Sequence, residues 1–325
     1  GVFVRMGRRY MTPPLFLCVY GHVALDYIIK LADFPEPNTS VDILEKETYY
    51  GGTGANIATI ASSLGVPTAL CSFVGEDFPD DFLDFMRSRN VDLRELVKIR
   101  GEKTPTVWIV SNASNDQIAY VYQGPMRKMD EYEVKMNAAV ESDVVHICTG
   151  RPSYYLKLME LCNSMGKYIA FDPSQEIHYI WNATDFRKAI TFCDAIFVND
   201  SELRRALQHL ELAAVEDIAK RVRLLVNTKG KDGCVAYEGG IRRITVPSFD
   251  TDKIVDPTGA GDAFRAGFYA GKFRKLPLES CLAAGCATAS FIIEAKGTLT
   301  NIPSWDDVEK RMERILPKIR VDDIS

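Results

Sequence analysis

The chain reads as an α/β protein, a three-layer fold with a mostly parallel central sheet and a small β-sheet lid. Three observations predict it. Short apolar runs alternate with longer amphipathic stretches along most of the 325 residues, as in a parallel sheet with helices on both faces. Two β-rich pairs of runs interrupt that alternation. A Gly-Ala-Gly turn at 259–261 leads into a helical stretch, and the motifs fall where open α/β sheets bind ligands, beyond the carboxyl ends of strands.

Residues 1–14 are expected to be an extension, disordered or of artificial origin. Arg5, Arg8 and Arg9 there accompany no long apolar region of a signal peptide. The folded domain is expected to span 15–325. Strand candidates lie at 15–20, 69–74, 144–148, 168–171, 195–198, 224–227 and 234–237. Each is apolar-rich and too short for an ordinary helix. Helical patterns fill the intervals at 55–64, 80–90, 154–165, 202–210, 215–223, 263–273 and 280–293. The lid is expected from two separate stretches, about 27–50 and 104–123. In the second, 106–110 and 117–122 flank the polar turn 111–116, a hairpin signature. In the first, 27–31 and 41–50 flank Pro35-Glu36-Pro37-Asn38. Such an appendage can close over a cleft.

Composition excludes several classes. With 39 basic and 44 acidic residues the net charge is −5, so no basic surplus drives nucleic-acid binding. No apolar run reaches the roughly 18–20 residues of a membrane span. Eight cysteines are scattered through apolar runs without a Cys-x-x-Cys pair, the usage of reduced thiols in a cytoplasmic protein. His22, His146, His178 and His209 lie far apart, so no protein-held transition metal is expected.

The run Asp256-Pro257-Thr258-Gly259-Ala260-Gly261-Asp262-Ala263-Phe264 carries the most chemistry. A small-residue turn that opens a helix aims backbone N–H groups at one point. With the positive end of the helix dipole it forms an anion hole that needs no basic side chain. Asp262 is placed there to take a proton from a hydroxyl attacking a bound phosphate. Near the front, Gly51-Gly52-Thr53-Gly54-Ala55-Asn56 lets the backbone approach a ligand, and Asn56 offers a donor and an acceptor. Asp26 follows an apolar strand and can accept two hydrogen bonds from a sugar diol. No Walker loop or dinucleotide fingerprint is present. By itself, Asn199-x-x-Glu202 is a helix capping box, and 228–233 a hairpin turn.

Together these residues resemble the ribokinase-like (phosphofructokinase B) family. Gly51-Gly52-x-x-x-Asn56 and Asp256–Phe264 are similar to its two signatures. Asn199-Asp200-Ser201-Glu202 resembles its Asn-x-x-Glu motif, and Thr228-Lys229-Gly230-x-x-Gly233 its nucleotide-phosphate turn. The resemblance implies a ribokinase-like fold and transfer of the γ-phosphoryl of Mg-ATP to a sugar-like hydroxyl. It makes Asp262 the general base and Gly259, Ala260 and Gly261 the anion hole. Asn199 and Glu202 would hold Mg²⁺, chiefly through water. Asn199, Thr228, Lys229, Gly230, Gly233 and Gly261 would contact ATP, and Asp26, Gly51, Gly52 and Asn56 the acceptor. In some members Asp256's counterpart lies near a monovalent-cation (K⁺) site; here Pro257 stands where Thr is commoner.

Residues 34–40, 104–108 and 294–297 look most like those of archaeal nucleoside kinases of broad specificity. That implies a ribonucleoside acceptor phosphorylated on its primary 5′ hydroxyl. Asp26, Asn38 and Asn56 would grip the ribose, while Trp108, Tyr120, Tyr122 or Gln117 could face the base. A ribokinase- or fructokinase-like sugar kinase is the alternative, and a nucleoside-binding regulator without turnover a second. A homodimer through the lid is also implied.

Overall fold

The structure is a computed structural model that describes residues 14–324. Of the extension expected at 1–14, only residue 14 lies inside that range. The chain opens with β1 (Leu17–Tyr20), the lid strands β2 (Ala24–Lys30) and β3 (Glu45–Gly51), α1 (Thr53–Ser63), β4 (Thr68–Gly75), α2 (Asp80–Ser88) and β5 (Leu96–Ile99). The lid hairpin β6 (Thr106–Ser111) and β7 (Gln117–Tyr122) follows. Next come α3 (Asn137–Val140), β8 (Val144–Ile147), α4 (Pro152–Ser164), β9 (Tyr168–Phe171), α5 (Ala183–Phe192) and β10 (Ala195–Asn199). Then follow α6 (Asp200–Leu210), α7 (Val215–Ala219), β11 (Leu224–Thr228), β12 (Cys234–Glu238) and β13 (Arg242–Val246). The chain finishes with α8 (Ala260–Phe273), α9 (Leu278–Ile292), α10 (Trp305–Ile315) and β14 (Arg320–Asp323).

Ten strands form one sheet in the order β14-β13-β12-β11-β10-β9-β8-β1-β4-β5. From β11 to β5 every pairing is parallel, and β12, β13 and β14 add antiparallel at one end. Strands β1, β4 and β8 are buried along their whole length, because helices cover both faces of a parallel sheet. The smaller sheet runs β3-β2-β6-β7 and is built from the two stretches expected to form the lid. The eight cysteines are free and buried. Among the described residues no helix is long and apolar enough to cross a membrane.

Several elements escaped the sequence pattern. Strand β14 is Arg-Val-Asp-Asp on a sheet edge; it is a strand because β13 pairs with it, not because of its composition. Helix α10 was not expected, although its signals are in the sequence: Ser304 and Asp307 form a capping box, and Val308, Met312 and Ile315 recur at helical spacing. The helix expected over 215–223 stops at Ala219, and the chain turns to enter β11.

Helices α8 and α9 pack closely because glycines remove side chains between them. A Cβ on Gly267 would lie 2.3 Å from Thr288 Oγ1 and 2.5 Å from the Ala284 carbonyl oxygen. Gly267→Ala is therefore expected to cost about 1–3 kcal/mol by overpacking. The check is a lower denaturant midpoint at unchanged slope; an unchanged midpoint would mean the two helices can separate freely.

Candidate active site

The carboxyl ends of the parallel strands deliver the site. Just beyond β1, β8 and β9 stand His22, Thr149 and Asp172, while β10 and β11 end on Asn199 and Thr228. Helix α8 starts opposite them. Its N-cap, Gly259, has φ 85°, a left-handed conformation suited to glycine, and a Cβ there would meet Thr298 Cγ2 at 2.6 Å. The Ala260 N–H reaches the Pro257 carbonyl at 3.3 Å, and Ala263 closes onto Gly259 at 3.0 Å. Among the described residues the N–H groups of Gly261 and Asp262 have no partner. They remain as donors at the positive end of a 14-residue helix.

Asp262 is half-exposed at this mouth yet closely surrounded by protein, and burial pushes its carboxyl up to about 7. Asn56 Nδ2 donates to Asp262 Oδ2 at 2.9 Å and opposes that rise. The amide is oriented by Thr298, whose hydroxyl donates to Asn56 Oδ1 at 2.8 Å. Thus α1, α8 and the segment after α9 converge on one carboxylate.

Beneath it lies a buried support. Arg265 donates to Asp172 through Nε (2.5 Å) and Nη2 (3.0 Å), and through Nη1 to the Gly261 carbonyl (2.8 Å). His146 Nε2 meets Asp172 at 3.0 Å, and its Nδ1 meets the Tyr269 hydroxyl at 2.5 Å. His146, Cys148 and Asp172 bring possible ligand atoms within 4.8 Å of one another. Both histidine nitrogens and both Asp172 oxygens are already engaged, so the cluster braces Arg265. Sequence reading assigned no site role to Asp172, His146, Thr298 or Arg265. Only Asp172-Pro173, directly after a predicted strand, gave a visible signal.

On one side of the turn a cavity of about 390 Å³ is lined by Asn199, Thr228, Gly230, Gly233, Ala260 and Gly261, with Phe249 and Ile293 among its apolar walls. The 228–233 segment is both the hairpin turn from β11 to β12 and a wall of this cavity. Gly233 is required where it stands, since φ is 82° and a Cβ would meet the Val246 carbonyl oxygen at 2.0 Å. Lys229 turns aside to Asp200, 2.9 Å away. The capping box of α6 forms: Asn199 Oδ1 accepts from the Glu202 N–H at 2.8 Å, and Glu202 Oε1 from the Asn199 N–H at 3.0 Å. Gln175 donates to Glu202 Oε2 at 2.9 Å. Burial raises the Glu202 carboxyl above its ordinary value.

On the other side, beneath the lid, lies a cavity of about 190 Å³, with Gly52 and Thr53 of the first glycine motif in its lining. Asp26 projects from β2 over Gly51, where a Cβ would lie only 2.3 Å from its Oδ2. Burial first, and the nearby charge of Asp256 second, push the Asp26 carboxyl up to about 7. One Asp256 oxygen is occupied by the Thr258 N–H at 3.0 Å.

Of the residues expected at the acceptor, Gly52 lines the smaller cavity, whereas Asp26, Asn38, Gly51, Asn56, Trp108 and Gln117 line neither. Asn38 sits in an exposed turn with φ 67°. Trp108 pairs with Tyr27 and stacks on it at 4.5 Å. Because strand side chains alternate, that puts it on the lid face opposite Asp26. Gln117 begins β7 at the far end of the hairpin, exposed. Val107 and Val121, on the Asp26 face, line the cavity instead. Of the other aromatics expected at a base, Tyr122 touches this cavity and Tyr120 does not.

Residues 15–305 match the profile of the pfkB family carbohydrate kinases. The chain belongs to this family. It is 36% identical over 299 residues to a nucleoside kinase of Methanothermobacter thermautotrophicus, covering 91% of this chain and 94% of that one. A cytidine kinase of Thermococcus kodakarensis is 30% identical over 288 residues, covering 87% and 98%. The crystal structure of the Methanocaldococcus jannaschii nucleoside kinase, an archaeal ribokinase-family member, superposes with a TM-score of 0.85 at 35% identity, covering 93% and 100%. The fold is ribokinase-like, and the protein is a phosphotransferase with an alcohol acceptor, a nucleoside or sugar kinase whose family implies ATP as donor.

Since the Asn56 amide opposes the effect of burial, Asn56→Ala should move the Asp262 titration upward from about 7. Carbon-detected NMR of labelled aspartate would follow it; an unchanged or lowered midpoint would remove Asn56 from control of that carboxylate.

Proposed function

We propose that the protein is an ATP- and Mg²⁺-dependent kinase that phosphorylates the 5′ hydroxyl of a ribonucleoside. One observation carries the reading. A carboxylate held by Asn56 stands beside two helix N–H groups without partners among the described residues, at a turn whose Ala260 and Gly261 line the same cavity as the 228–233 segment. The names of the relatives support a nucleoside acceptor.

The triphosphate would lie in the larger cavity, with its γ-phosphoryl at the 259–261 turn facing the free N–H groups of Gly261 and Asp262, since the Ala260 N–H expected in the anion hole is taken by the Pro257 carbonyl. Those amides are fixed before the reaction, so they stabilise negative charge without reorganising. Asp262 accepts the proton of the attacking hydroxyl, and its raised carboxyl suits a base working near neutrality. Asp26, given room by Gly51, accepts hydrogen bonds from the ribose diol. Closure of the lid excludes water that would otherwise intercept the phosphoryl group.

The residues fit Mg²⁺ held through water. Each Glu202 oxygen accepts one hydrogen bond from protein and keeps a lone pair for the water of a hydrated hard cation, while Asn199 Oδ1, accepting from the Glu202 N–H and the Ser201 hydroxyl, fixes the start of α6 beside it. Bound there, Mg²⁺ neutralises phosphate charge. A monovalent cation near Asp256 would have that residue's second oxygen. A second copy of this chain would cover the exposed outer lid face at Trp108, Ile118 and Tyr120, forming the homodimer.

Asp262→Asn is expected to lower kcat by at least about 10²–10⁴-fold while nucleoside and ATP binding persist. Turnover close to that of the wild type would exclude Asp262 as base. Assay with labelled ATP against purine and pyrimidine nucleosides, ribose and fructose tests the acceptor. Nucleosides should dominate kcat/KM, and preference for a free sugar would overturn the nucleoside reading.

A further inference from the structure

The cavity under the lid contains a polar group that the proposed transfer does not use. Glu176, just after β9, is only 4% exposed and lies in the cavity lining. Its Oε1 accepts the Gly150 N–H at 2.6 Å. Its Oε2 has no hydrogen bond or ion pair, and it is not among the side-chain atoms sealed inside protein without a partner. That oxygen is therefore open to the cavity, where water or the donor of a ligand can meet it.

The other polar residues of the cavity are largely committed. His22 Nδ1 meets Thr149 Oγ1 at 2.6 Å, and its Nε2 meets Gln123 Oε1 at 2.6 Å. Burial holds His22 down at about 4, hence neutral. The Gln123 oxygen takes the imidazole N–H, which leaves the Gln123 amide NH₂ as a donor. Val107 and Val121 form apolar lid walls, and the Tyr179 ring also borders the space. The cavity therefore offers flat apolar surface, a carboxylate acceptor on Glu176 and an amide donor on Gln123, with Ser174, Gln175, Tyr122 and Tyr179 also in its lining.

We propose that Glu176 is a specificity-determining residue that reads the base of the acceptor, accepting a hydrogen bond from a ring or exocyclic N–H. The inference rests on the nucleoside reading above and deepens it: bases whose edge carries an N–H next to an acceptor are favoured, with Gln123 donating to that acceptor. Glu176 is a binding group and takes no part in the proton transfer at Asp262.

The test compares inosine, which carries an N1–H beside O6, with purine riboside, which has neither. Assays run at pH 8.5, above the value of about 7 to which burial pushes the Glu176 carboxyl. Wild type should favour inosine by at least about tenfold in kcat/KM, the scale of one matched buried hydrogen bond. Glu176→Gln keeps an oxygen for the Gly150 N–H but presents NH₂ to the base. It should bring the ratio to within about threefold of unity and leave the KM for ATP unchanged. A wild-type ratio near unity, or a preference that survives in Glu176→Gln, overturns the role of Glu176 while the nucleoside reading stands. Should wild type phosphorylate neither nucleoside yet accept ribose or fructose, both fall. The wild-type comparison needs no variant, so a poorly folded Glu176→Gln leaves the proposal open to refutation.

Discussion

A helix cannot satisfy its own first N–H groups, and in this protein two of them, on Gly261 and Asp262, are left facing a cleft. Much of the surrounding structure can be understood as keeping them there. Gly259 adopts a left-handed turn that only a small residue fits against Thr298. Arg265, one turn into α8, holds the Gly261 carbonyl and so fixes the peptide whose N–H belongs to Asp262. The parallel sheet supplies the opposite wall, because all its central strands end at the same edge.

A carboxylate next to an anion hole is an electrostatic conflict, and the site manages it by balance. Burial and the charges of Asp172 and Glu202 raise the Asp262 carboxyl, while Asn56 and Arg265 lower it. Arg265 is itself neutralised by Asp172, braced in turn by His146 and Tyr269. A buried ion pair of this kind contributes little net stability but holds charges in fixed positions. The outcome is a carboxyl near 7, where a small change in surroundings shifts its protonation. That sensitivity suits a group that must accept a proton.

Much of this was legible in the sequence, for stated reasons. Continuous apolar runs of four to eight residues exposed the central strands, because a sheet buried on both faces needs no alternation. The glycine motifs announced backbone approach, and the family pattern named Asn56 and Asp262, which the fold brings within 2.9 Å of each other. The smaller sheet was found as two β-rich pairs, but the face each side chain takes is set by strand register. Aromatic character suggested Trp108 for the base, whereas strand alternation from Asp26 selects Val107. The buried brace was illegible because Arg265, Asp172 and His146 are far apart in sequence and meet only through the fold. Edge strands such as β14 owe their form to a neighbour and leave no local trace.

The central claim is geometric, so a structure of the protein with ADP, aluminium fluoride and a nucleoside tests it most directly. The account predicts the planar fluoride within about 3 Å of the Gly261 and Asp262 nitrogens, with an Asp262 carboxylate oxygen within about 3 Å of the attacking 5′ oxygen. A fluoride bound away from the start of α8, or an Asp262 side chain turned from the hydroxyl, would contradict it.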